Sequence, residues 1–206
     1  MEDILRIERL TTVRHLRALD AEAWSRPSLC AGWTVRHVLA HMVTPFEVSL
    51  WQMGGTVLRR RSLAGAMDAW ARRLAERPVG DLLDVLERNA ASTWHAPGMP
   101  LASPLTDVLV HTLDIRWALD VSPTVDHVDP AHVLPSLEFV TTPSAAGVFV
   151  PKGRCDGVRV VADDVDFAHG TGPTISGPAL ALLAGACGRA PALDLLSGDG
   201  LARWRG

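Results

Sequence analysis

The sequence predicts a mainly α-helical bundle followed by a small α/β segment, and three observations predict this class. Apolar residues recur at the helical period through most of residues 3–120. The composition shifts after Val121, and residues 156–168 then alternate between apolar and polar side chains as strands do. The chain has 206 residues, 48% of them hydrophobic, which is enough to bury a core. We therefore predict a helical domain over 1–125 and a small α/β domain over 126–206.

The first two helices are placed from their caps and breaks. Residues 3–22 are predicted to form an amphipathic helix, and the stretch at 25–32, which Pro and Gly interrupt, is predicted to be a loop. Such a long connection is what a four-helix bundle with a crossover topology needs. Thr34 is the expected N-cap of the second helix, which is predicted to bend at Pro45 and to end at Gly54–Gly55.

Three more helical segments complete the bundle, at 62–77, 81–95 and 103–120. Asp81 is the candidate N-cap of the second of these segments. Pro104 falls in the first turn of the third, where proline is tolerated. The basic run Arg59–Arg61 lies just before them and is interpreted as a solvated loop.

The C-terminal segment is predicted to combine helices and strands. In chain order these are a helix at 130–139, two hairpin strands at 156–161 and 165–168, an apolar helix at 176–187 and a last strand at 200–205. Asp163–Asp164 is the candidate hairpin turn. Ser176–Gly177–Pro178 is predicted to open the apolar helix, and Gly188 is predicted to end it.

Composition and charge exclude several classes of partner. The formal net charge is -3 and the pI is about 6.2, so nothing in the composition favours nucleic acid, which would need a basic face. The three cysteines, Cys30, Cys155 and Cys187, are odd in number and lack metal-type spacing, which favours a reducing compartment. Acidic residues within 1–10 argue against a signal peptide, and the most apolar run, 179–187, is too short to span a bilayer. We expect a cytoplasmic protein with no membrane partner.

Histidines and carboxylates recur at helical spacing on two of the predicted helices. Asp107 and His111 are four residues apart, so their side chains share one face, and Asp114 follows on the same face. His41 lies on a different helix, four residues after His37. Two facing helices could then offer a carboxylate and two imidazoles to one divalent ion, as helical bundles do for metals. Spacing alone favours the simpler alternatives, which are a salt-bridged or solvated helix face and a hydrogen-bonded core histidine.

Three parts of the chain resemble one known family. Residues 24–41, WSRPSLCAGWTVRHVLAH, are similar to a signature of the form W-x-x-P-(S/T)-x-C-x-G-W-T-V-x-D-x-x-A-H. Residues 107–114, DVLVHTLD, are similar to a second motif, E-x-x-x-H-x-x-D. Segments of the tail, among them 176–179 and 196–200, match a small C-terminal domain. The chain resembles the mycothiol-dependent maleylpyruvate isomerase-like (DinB-like) family over nearly its whole length.

The resemblance implies a set of metal ligands. The last His of the first motif, and the acid and the His of the second, are ligands in the family, and they correspond to His41, Asp107 and His111. The ion is expected to be zinc, with nickel left open because this donor set suits several divalent ions. Two positions depart from the family pattern. Asp107 replaces the usual Glu and is one methylene shorter, and His37 replaces the usual Asp and is expected to face solvent or to cap a neighbour rather than to act as a fourth ligand.

The resemblance also implies mycothiol, a low-molecular-weight thiol, as co-substrate. A thiolate formed beside a divalent ion would attack a small electrophile, by isomerase or S-transferase chemistry. Arg189 is the candidate catalytic residue, as a clamp for a substrate carboxylate. The alternative is a surface arginine that complements a helix C-terminus. Cys30 is expected to be a packed loop residue. A thiol-independent metal hydrolase and a non-catalytic metal-binding or stress-response protein stay open as alternatives, as does a homodimer.

Overall fold

The computed structural model of the chain describes residues 1–119 and 127–205. Its α-helices are Glu2–Arg17 (α1), Val35–Glu47 (α2), Leu50–Arg60 (α3), Leu63–Leu74 (α4), Val79–Arg88 (α5), Ala102–Ala118 (α6), Pro130–Val140 (α7), Ala179–Ala186 (α8) and Ala202–Arg205 (α9). Its strands are Arg159–Ala162 (β1), Ala168–Gly170 (β2) and Thr174–Gly177 (β3). The predicted class, a mainly α fold with a small α/β tail, is confirmed. Within these described residues, no helix is long and apolar enough to cross a membrane.

The chain divides into two compact units. One contains Glu2–His95 and the end of α6 from Asp114 onward, and the other contains α6 up to Leu113 together with the C-terminal segments. Residues 120–126 are not described, so the predicted domain boundary between residues 125 and 126 lies outside the described residues. The division into 1–125 and 126–206 therefore stays a prediction.

In the first unit, α2 is packed on more than one side, because it contacts both α4 and α5. α1 packs on α5, and α3 packs on α4. The apolar residues of α2 recur at the helical period, and Val35, Val38 and Leu39 are each 0% exposed. Full burial of an aliphatic side chain of this kind contributes about 1.5 to 3 kcal/mol. The core therefore anchors α2 firmly.

α1 is shorter than predicted, because it ends at Arg17 rather than at residue 22. The carboxylate of Asp20 accepts a hydrogen bond of 2.8 Å from the backbone N–H of Ala23. A short 3-10 turn, Ala23–Ser25, begins there. Asp competes with the helix for backbone groups in this way, which favours a turn over a continued helix.

The second predicted helix is in fact two helices, so the prediction that it ends at Gly54–Gly55 is wrong. α2 ends at Glu47, and α3 begins at Leu50. Ser49 starts α3 through a capping box: the N–H of Gln52 donates to Ser49 Oγ at 3.3 Å, and the N–H of Ser49 donates to Gln52 Oε1 at 2.9 Å. α3 then runs through both glycines, where an added Cβ would meet nothing within 4 Å.

Two smaller predictions for this unit are also wrong. α5 begins at Val79 with Pro78 in the N-cap position, so Asp81 lies inside the first turn instead of capping it. The basic run Arg59–Arg61 is not a loop, since its first two residues end α3 and its third is the C-cap, with a φ of 53°. All three arginines are exposed, as expected for a charge run.

The second unit contains a three-stranded sheet in the order β2-β1-β3. β1 and β2 form an antiparallel hairpin as predicted, in the register Val160↔His169, although β2 begins at Ala168 rather than at residue 165. β3 pairs parallel to β1 on its other side, in the register Val160↔Ile175. The sequence does not predict β3, because four residues bounded by Pro and Gly carry too little alternation. Ser176–Gly177, which are predicted to open a helix, are instead its last two residues.

α8 forms the interior of this unit, and all of its residues are buried. It packs on α7 and contacts β1 and β3. The sheet backbone is tightly packed at Gly170, which has a φ of 79°. A Cβ at Gly170 would lie 2.3 Å from the carbonyl oxygen of Val158, so glycine is required there. An apolar helix packed on a short sheet therefore supplies the core of the second unit.

The predicted last strand at 200–205 is wrong, because this segment is helical. A 3-10 turn at Asp199–Leu201 leads directly into α9. Leu201 and Trp204 are both buried and are three residues apart, which is a helical spacing rather than a strand spacing. The indole N–H of Trp204 donates to the carbonyl of Arg154 at 2.8 Å, and the Arg154 guanidinium donates to the carbonyl of Trp204 at 3.0 Å. These contacts hold the tail.

Candidate metal centre

The core-anchored helix α2 positions His41. Its neighbours Ala40 and Met42 are 0% and 3% exposed, and His41 itself is half-buried. The indole of Trp33 lies against the imidazole, with 5.2 Å between ring centroids and 47° between ring planes. Trp33 is held in turn, because its Nε1–H donates to Oδ1 of Asp68 in α4 at 2.8 Å. The loop before α2 is thereby fastened to α4, and the ring of His41 is restrained on one side.

Two hydrogen-bond donors stabilise the charged form of the Asp68 carboxyl. Its pKa is lowered first by the indole N–H of Trp33 and then by Arg72, whose Nε donates at 2.8 Å. The ionised carboxylate is therefore the form that holds Trp33 at neutral pH.

His37 has a capping role at the start of α2. The backbone N–H of Thr34 donates to His37 Nδ1 at 3.1 Å, and Thr34 Oγ1 lies 2.8 Å from the same nitrogen. Thr34 is the N-cap and His37 the third helical residue, which are the two positions of a capping box. Burial, followed by the positive charge of Arg72, lowers the pKa of His37, and this favours the neutral ring that accepts from Thr34. His37 does not occur in a candidate ligand group among the described residues.

α6 carries Asp107 and His111 on one face, one turn apart. Oδ1 of Asp107 lies 3.5 Å from Nε2 of His111. Their side chains are 27% and 13% exposed, so neither is freely solvated. The helix itself fixes this arrangement, since side chains four residues apart are stacked along it.

The structure describes all three predicted ligands, one on α2 and two on α6, and they form a candidate ligand set for one metal ion. Two imidazoles and one carboxylate also leave a position for solvent or substrate. The residues present therefore fit a divalent ion, and their assignment as ligands stays a prediction.

A second group of donors shares His111. The S–H of Cys30 donates to Oδ2 of Asp114 at 3.1 Å, and Asp114 is 0% exposed. The backbone N–H of Leu29 donates to the carbonyl of Asp114 at 3.3 Å, which holds the same loop at this residue. Cys30, His111 and Asp114 form a second candidate ligand set. Helical spacing alone places Asp114 on the ligand face, whereas its contact with Cys30 depends on how the loop folds, which periodicity does not fix.

Arg189 lies just beyond the C-terminus of α8. Gly188, with a φ of 84°, donates its N–H to Gly185 at 3.0 Å, and Arg189 donates its N–H to Ala184 at 2.9 Å. This is a Schellman arrangement. Nη1 of Arg189 donates to the carbonyl of Cys187 at 2.8 Å, which brings the cation to the negative end of the helix. This contact matches the alternative reading of Arg189, and its role as a substrate clamp stays a prediction.

Fold and donor groups together define the class of this chain. It is a mainly α protein whose helices carry a His–Asp–His donor group and whose C-terminal part contains a small sheet. Residues 5–116 match the family model described as the mycothiol maleylpyruvate isomerase N-terminal domain. The matched segment is more than half of the chain and includes His41, Asp107 and His111. The chain belongs to this family, which confirms the resemblance seen in the sequence.

The fold is also similar to that of solved structures. A crystal structure of a mycothiol-dependent maleylpyruvate isomerase matches with a TM-score of 0.57 and 18% sequence identity, over 96% of this chain and 91% of that chain. A histidine-to-alanine variant of the mycothiol-dependent maleylpyruvate isomerase matches with a TM-score of 0.53 and 17% identity, over the same shares of 96% and 91%. At these identities the likeness shows the fold alone. No curated protein matches the chain significantly.

Proposed function

We propose that this chain is a metal-dependent enzyme that uses mycothiol to isomerise a small unsaturated acid or to transfer the thiol to a small electrophile. One observation carries the proposal: the family-matched segment contains His41, Asp107 and His111, which form a candidate ligand set for one metal ion. The solved relatives are named as mycothiol-dependent maleylpyruvate isomerases, which makes isomerisation the first reaction to test.

His41, Asp107 and His111 would hold the divalent ion, which we expect to be zinc, with nickel as the alternative. To act as ligands, both imidazoles must be neutral and the carboxyl must be ionised. When bound, the ion would favour the thiolate form of an entering thiol over the neutral form. Asp107 is shorter than the Glu of the family pattern, so its carboxylate reaches less far from α6.

The surrounding side chains would orient the donors and exclude water. Trp33 covers one side of the His41 ring, which keeps the local dielectric low and strengthens electrostatic interactions there. Asp114 follows His111 by three residues on α6 and is the carboxylate that would accept the second ring N–H of a ligating His111. A carboxylate next to a ligating imidazole fixes its orientation and raises its basicity.

The isomerisation requires a thiolate that adds and then leaves. The sulfur forms a C–S bond to one carbon of the double bond, and the electron pair moves onto the conjugated carbonyl oxygen. After rotation about the former double bond, the pair returns and the C–S bond breaks, which gives the trans acid and the unchanged thiolate. With an electrophile such as an epoxide the C–S bond remains, and the result is S-transfer.

We assign the binding of a substrate carboxylate to Arg189. A guanidinium binds a carboxylate through two parallel hydrogen bonds, which a lysine cannot reproduce. Its contact with the Cys187 carbonyl would hold the half-buried side chain in a defined place. Arg189→Lys should therefore raise KM for an acidic substrate by about tenfold or more, since a charge-assisted hydrogen bond contributes about 1.5 to 3 kcal/mol.

The experiment combines zinc-loaded protein, mycothiol and maleylpyruvate, and follows conversion of the cis to the trans acid. We expect isomerisation that requires both the protein and the thiol. His111→Ala should lower the rate by about 100-fold or more, because it removes a proposed ligand. The control Arg88→Ala, at an exposed position of α5, should keep full activity. Epoxide substrates, with conjugates detected by mass spectrometry, test the S-transferase reaction.

Two outcomes would replace the proposal. Hydrolysis of a substrate that requires the metal but not the thiol would identify a metal-dependent hydrolase, in which the same ion would activate water. Metal binding without turnover of any tested electrophile would identify a non-catalytic metal-binding protein.

A further inference from the structure

α3 turns an apolar face away from the protein. Among its residues, all of which are described, Thr56 is the one that is buried, and Trp70 donates to Thr56 Oγ1 from Nε1 at 3.1 Å. Trp51 and Leu58 are 92% and 81% exposed. At about 100° per residue, these two lie within about 20° of each other and about 140° to 160° away from Thr56. The side chains that point farthest from the protein are therefore apolar.

Two further apolar residues in this part of the chain are also exposed. Leu50 at the start of α3 and Leu63 at the start of α4 are both 55% exposed. Together with Trp51 and Leu58 they make up what we call the α3 surface. Single exposed apolar residues are ordinary, but a cluster on the outward face of one helix is typical of a binding surface.

A basic run adjoins the α3 surface. Arg59–Arg61 are all exposed. Between Glu47 and Asp68 the sequence has three arginines and no other charged residue, so this stretch carries a net charge of +3 in a chain whose formal net charge is -3. The two flanking carboxylates each have a partner outside the run, Glu47 with Arg77 at 2.6 Å and Asp68 with Arg72 at 2.8 Å, although Asp68 also attracts Arg60. The surface therefore combines apolar side chains with a local excess of positive charge.

A second copy of the chain would not complement this combination. If two α3 helices paired in parallel, their arginine runs would lie side by side. If they paired antiparallel, each run would meet the N-terminal end of the partner helix, which is the positive end of the helix dipole. Both arrangements place positive charge near positive charge.

An anionic lipid bilayer complements both features of the surface. Acidic headgroups attract arginines near the membrane, and the interfacial region accepts Trp and Leu side chains. We propose that the α3 surface binds the face of a bilayer that contains anionic lipids, with α3 lying in the plane of the interface. Helices that bind in this way have an apolar face flanked by basic residues.

This attachment is peripheral and does not need a membrane-spanning segment. α3 has 11 residues and is about 16 Å long, about half the hydrocarbon thickness of a bilayer. The expectation of no membrane partner follows from the lack of a spanning run, whereas the outward face of α3 is visible only once its packing is known. The proposal is independent of the metal centre and of the proposed reaction.

The test is co-sedimentation of the full-length protein with lipid vesicles. One set of vesicles contains equal parts of phosphatidylglycerol and phosphatidylcholine, and the other contains phosphatidylcholine alone. We expect binding to the anionic vesicles that weakens with added salt, and binding to the neutral vesicles that is weaker by about tenfold or more. Arg60→Glu should weaken binding to anionic vesicles by about tenfold, because it removes one positive charge and adds a negative one.

Trp51→Ser tests the apolar part of the surface. It should weaken vesicle binding by about tenfold and should abolish the blue shift of tryptophan fluorescence that vesicles cause in the wild-type protein. The matched controls are Arg88→Glu and Trp94→Ser, both at exposed positions outside the α3 surface. These controls should bind as the wild type does, and circular dichroism verifies that each variant is folded.

Several results would overturn the proposal. They are an absence of binding to anionic vesicles at low salt, equal binding to neutral vesicles, and unchanged binding by both Trp51→Ser and Arg60→Glu. A concentration-dependent dimer that Trp51→Ser abolishes would assign the surface to a second copy of the chain instead. Binding to polyglutamate but not to vesicles would assign it to an acidic polypeptide.

Discussion

α2 and α3 are consecutive helices of similar length, and they bury very different shares of their residues. α2 has 13 residues, seven of them buried, whereas α3 has 11 residues and buries Thr56 alone within the described chain. α2 is packed by both α4 and α5, and α3 packs on α4. A helix enclosed by its neighbours can hold a group such as His41 in a fixed place. A helix at the edge, with Trp51 and Leu58 in water, keeps its apolar side chains available for a partner.

The largest expected effect is on the free energy of unfolding, and it distinguishes a buried leucine of α2 from an exposed leucine of α3. Leu39 in α2 is 0% exposed, and Leu58 in α3 is 81% exposed. Leu39→Ala leaves a cavity in the core and should lower the free energy of unfolding by about 2 to 5 kcal/mol. Leu58→Ala should change it by less than about 0.5 kcal/mol. Urea denaturation of both variants measures the two values, and equal losses would contradict the contrast between the helices.

A smaller effect is expected where the loop before α2 is held at Asp114. Cys30→Ala removes the S–H donor, and the buried carboxylate then has one hydrogen bond fewer. This should lower the free energy of unfolding by about 1 to 3 kcal/mol. Cys30→Ser keeps a donor at this position and is the matched control, with an expected loss of less than about 1 kcal/mol. Both variants are measured by urea denaturation of metal-free protein. If they lose the same amount, the sulfur acts through packing and the hydrogen bond is not what holds the loop.

The smallest effect concerns the capping box at the start of α2 and depends on pH. His37→Ala removes an acceptor for the Thr34 N–H. At pH values above 6.5, the ordinary histidine pKa, it should lower the free energy of unfolding by about 1 kcal/mol. Because the pKa of His37 is lowered in the folded protein, the unfolded chain takes up the proton first as the pH falls. The contribution of His37 is therefore fully present above pH 6.5 and is lost as the pH falls toward the folded pKa.

Unfolding free energies of wild type and His37→Ala, measured above and below pH 6.5, test this dependence. The difference between the two proteins should shrink as the pH falls. His37→Gln is the control, since Gln is a favoured residue at this position of a capping box and does not titrate. A difference between wild type and His37→Ala that stays constant across this pH range would rule out the titration of His37 as its source.

Long periodic segments are predictable from this sequence, whereas short elements and helix breaks are not. The start of α2 follows from the cap at Thr34 and the apolar residues after it, and α6 follows from a long segment without glycine whose proline lies in the first turn. The break between α2 and α3 depends on a single capping box, that of Ser49 and Gln52. β3 has four residues, and its pairing with β1 is a tertiary contact that local sequence does not encode.

The candidate site divides along the same line. The pairing of Asp107 with His111 follows from helical spacing, because one helix carries both residues. That His41 joins them is implied by the family motif and not by any local pattern. The contact between Cys30 and Asp114 depends on how the loop before α2 folds. The α3 surface is invisible in the sequence, since the exposure of Trp51 is decided by which helices pack around α3.

The central claim is that His41, Asp107 and His111 hold a divalent ion, and the metal content of the protein tests it most directly. Protein purified without a histidine tag is analysed by elemental mass spectrometry, with wild type beside His111→Ala and the control His169→Ala, which changes an exposed histidine of β2. We predict about one zinc or nickel ion per chain in wild type and in His169→Ala, and its loss in His111→Ala. A wild-type protein that contains no metal, even after reconstitution with zinc and nickel, would contradict the claim.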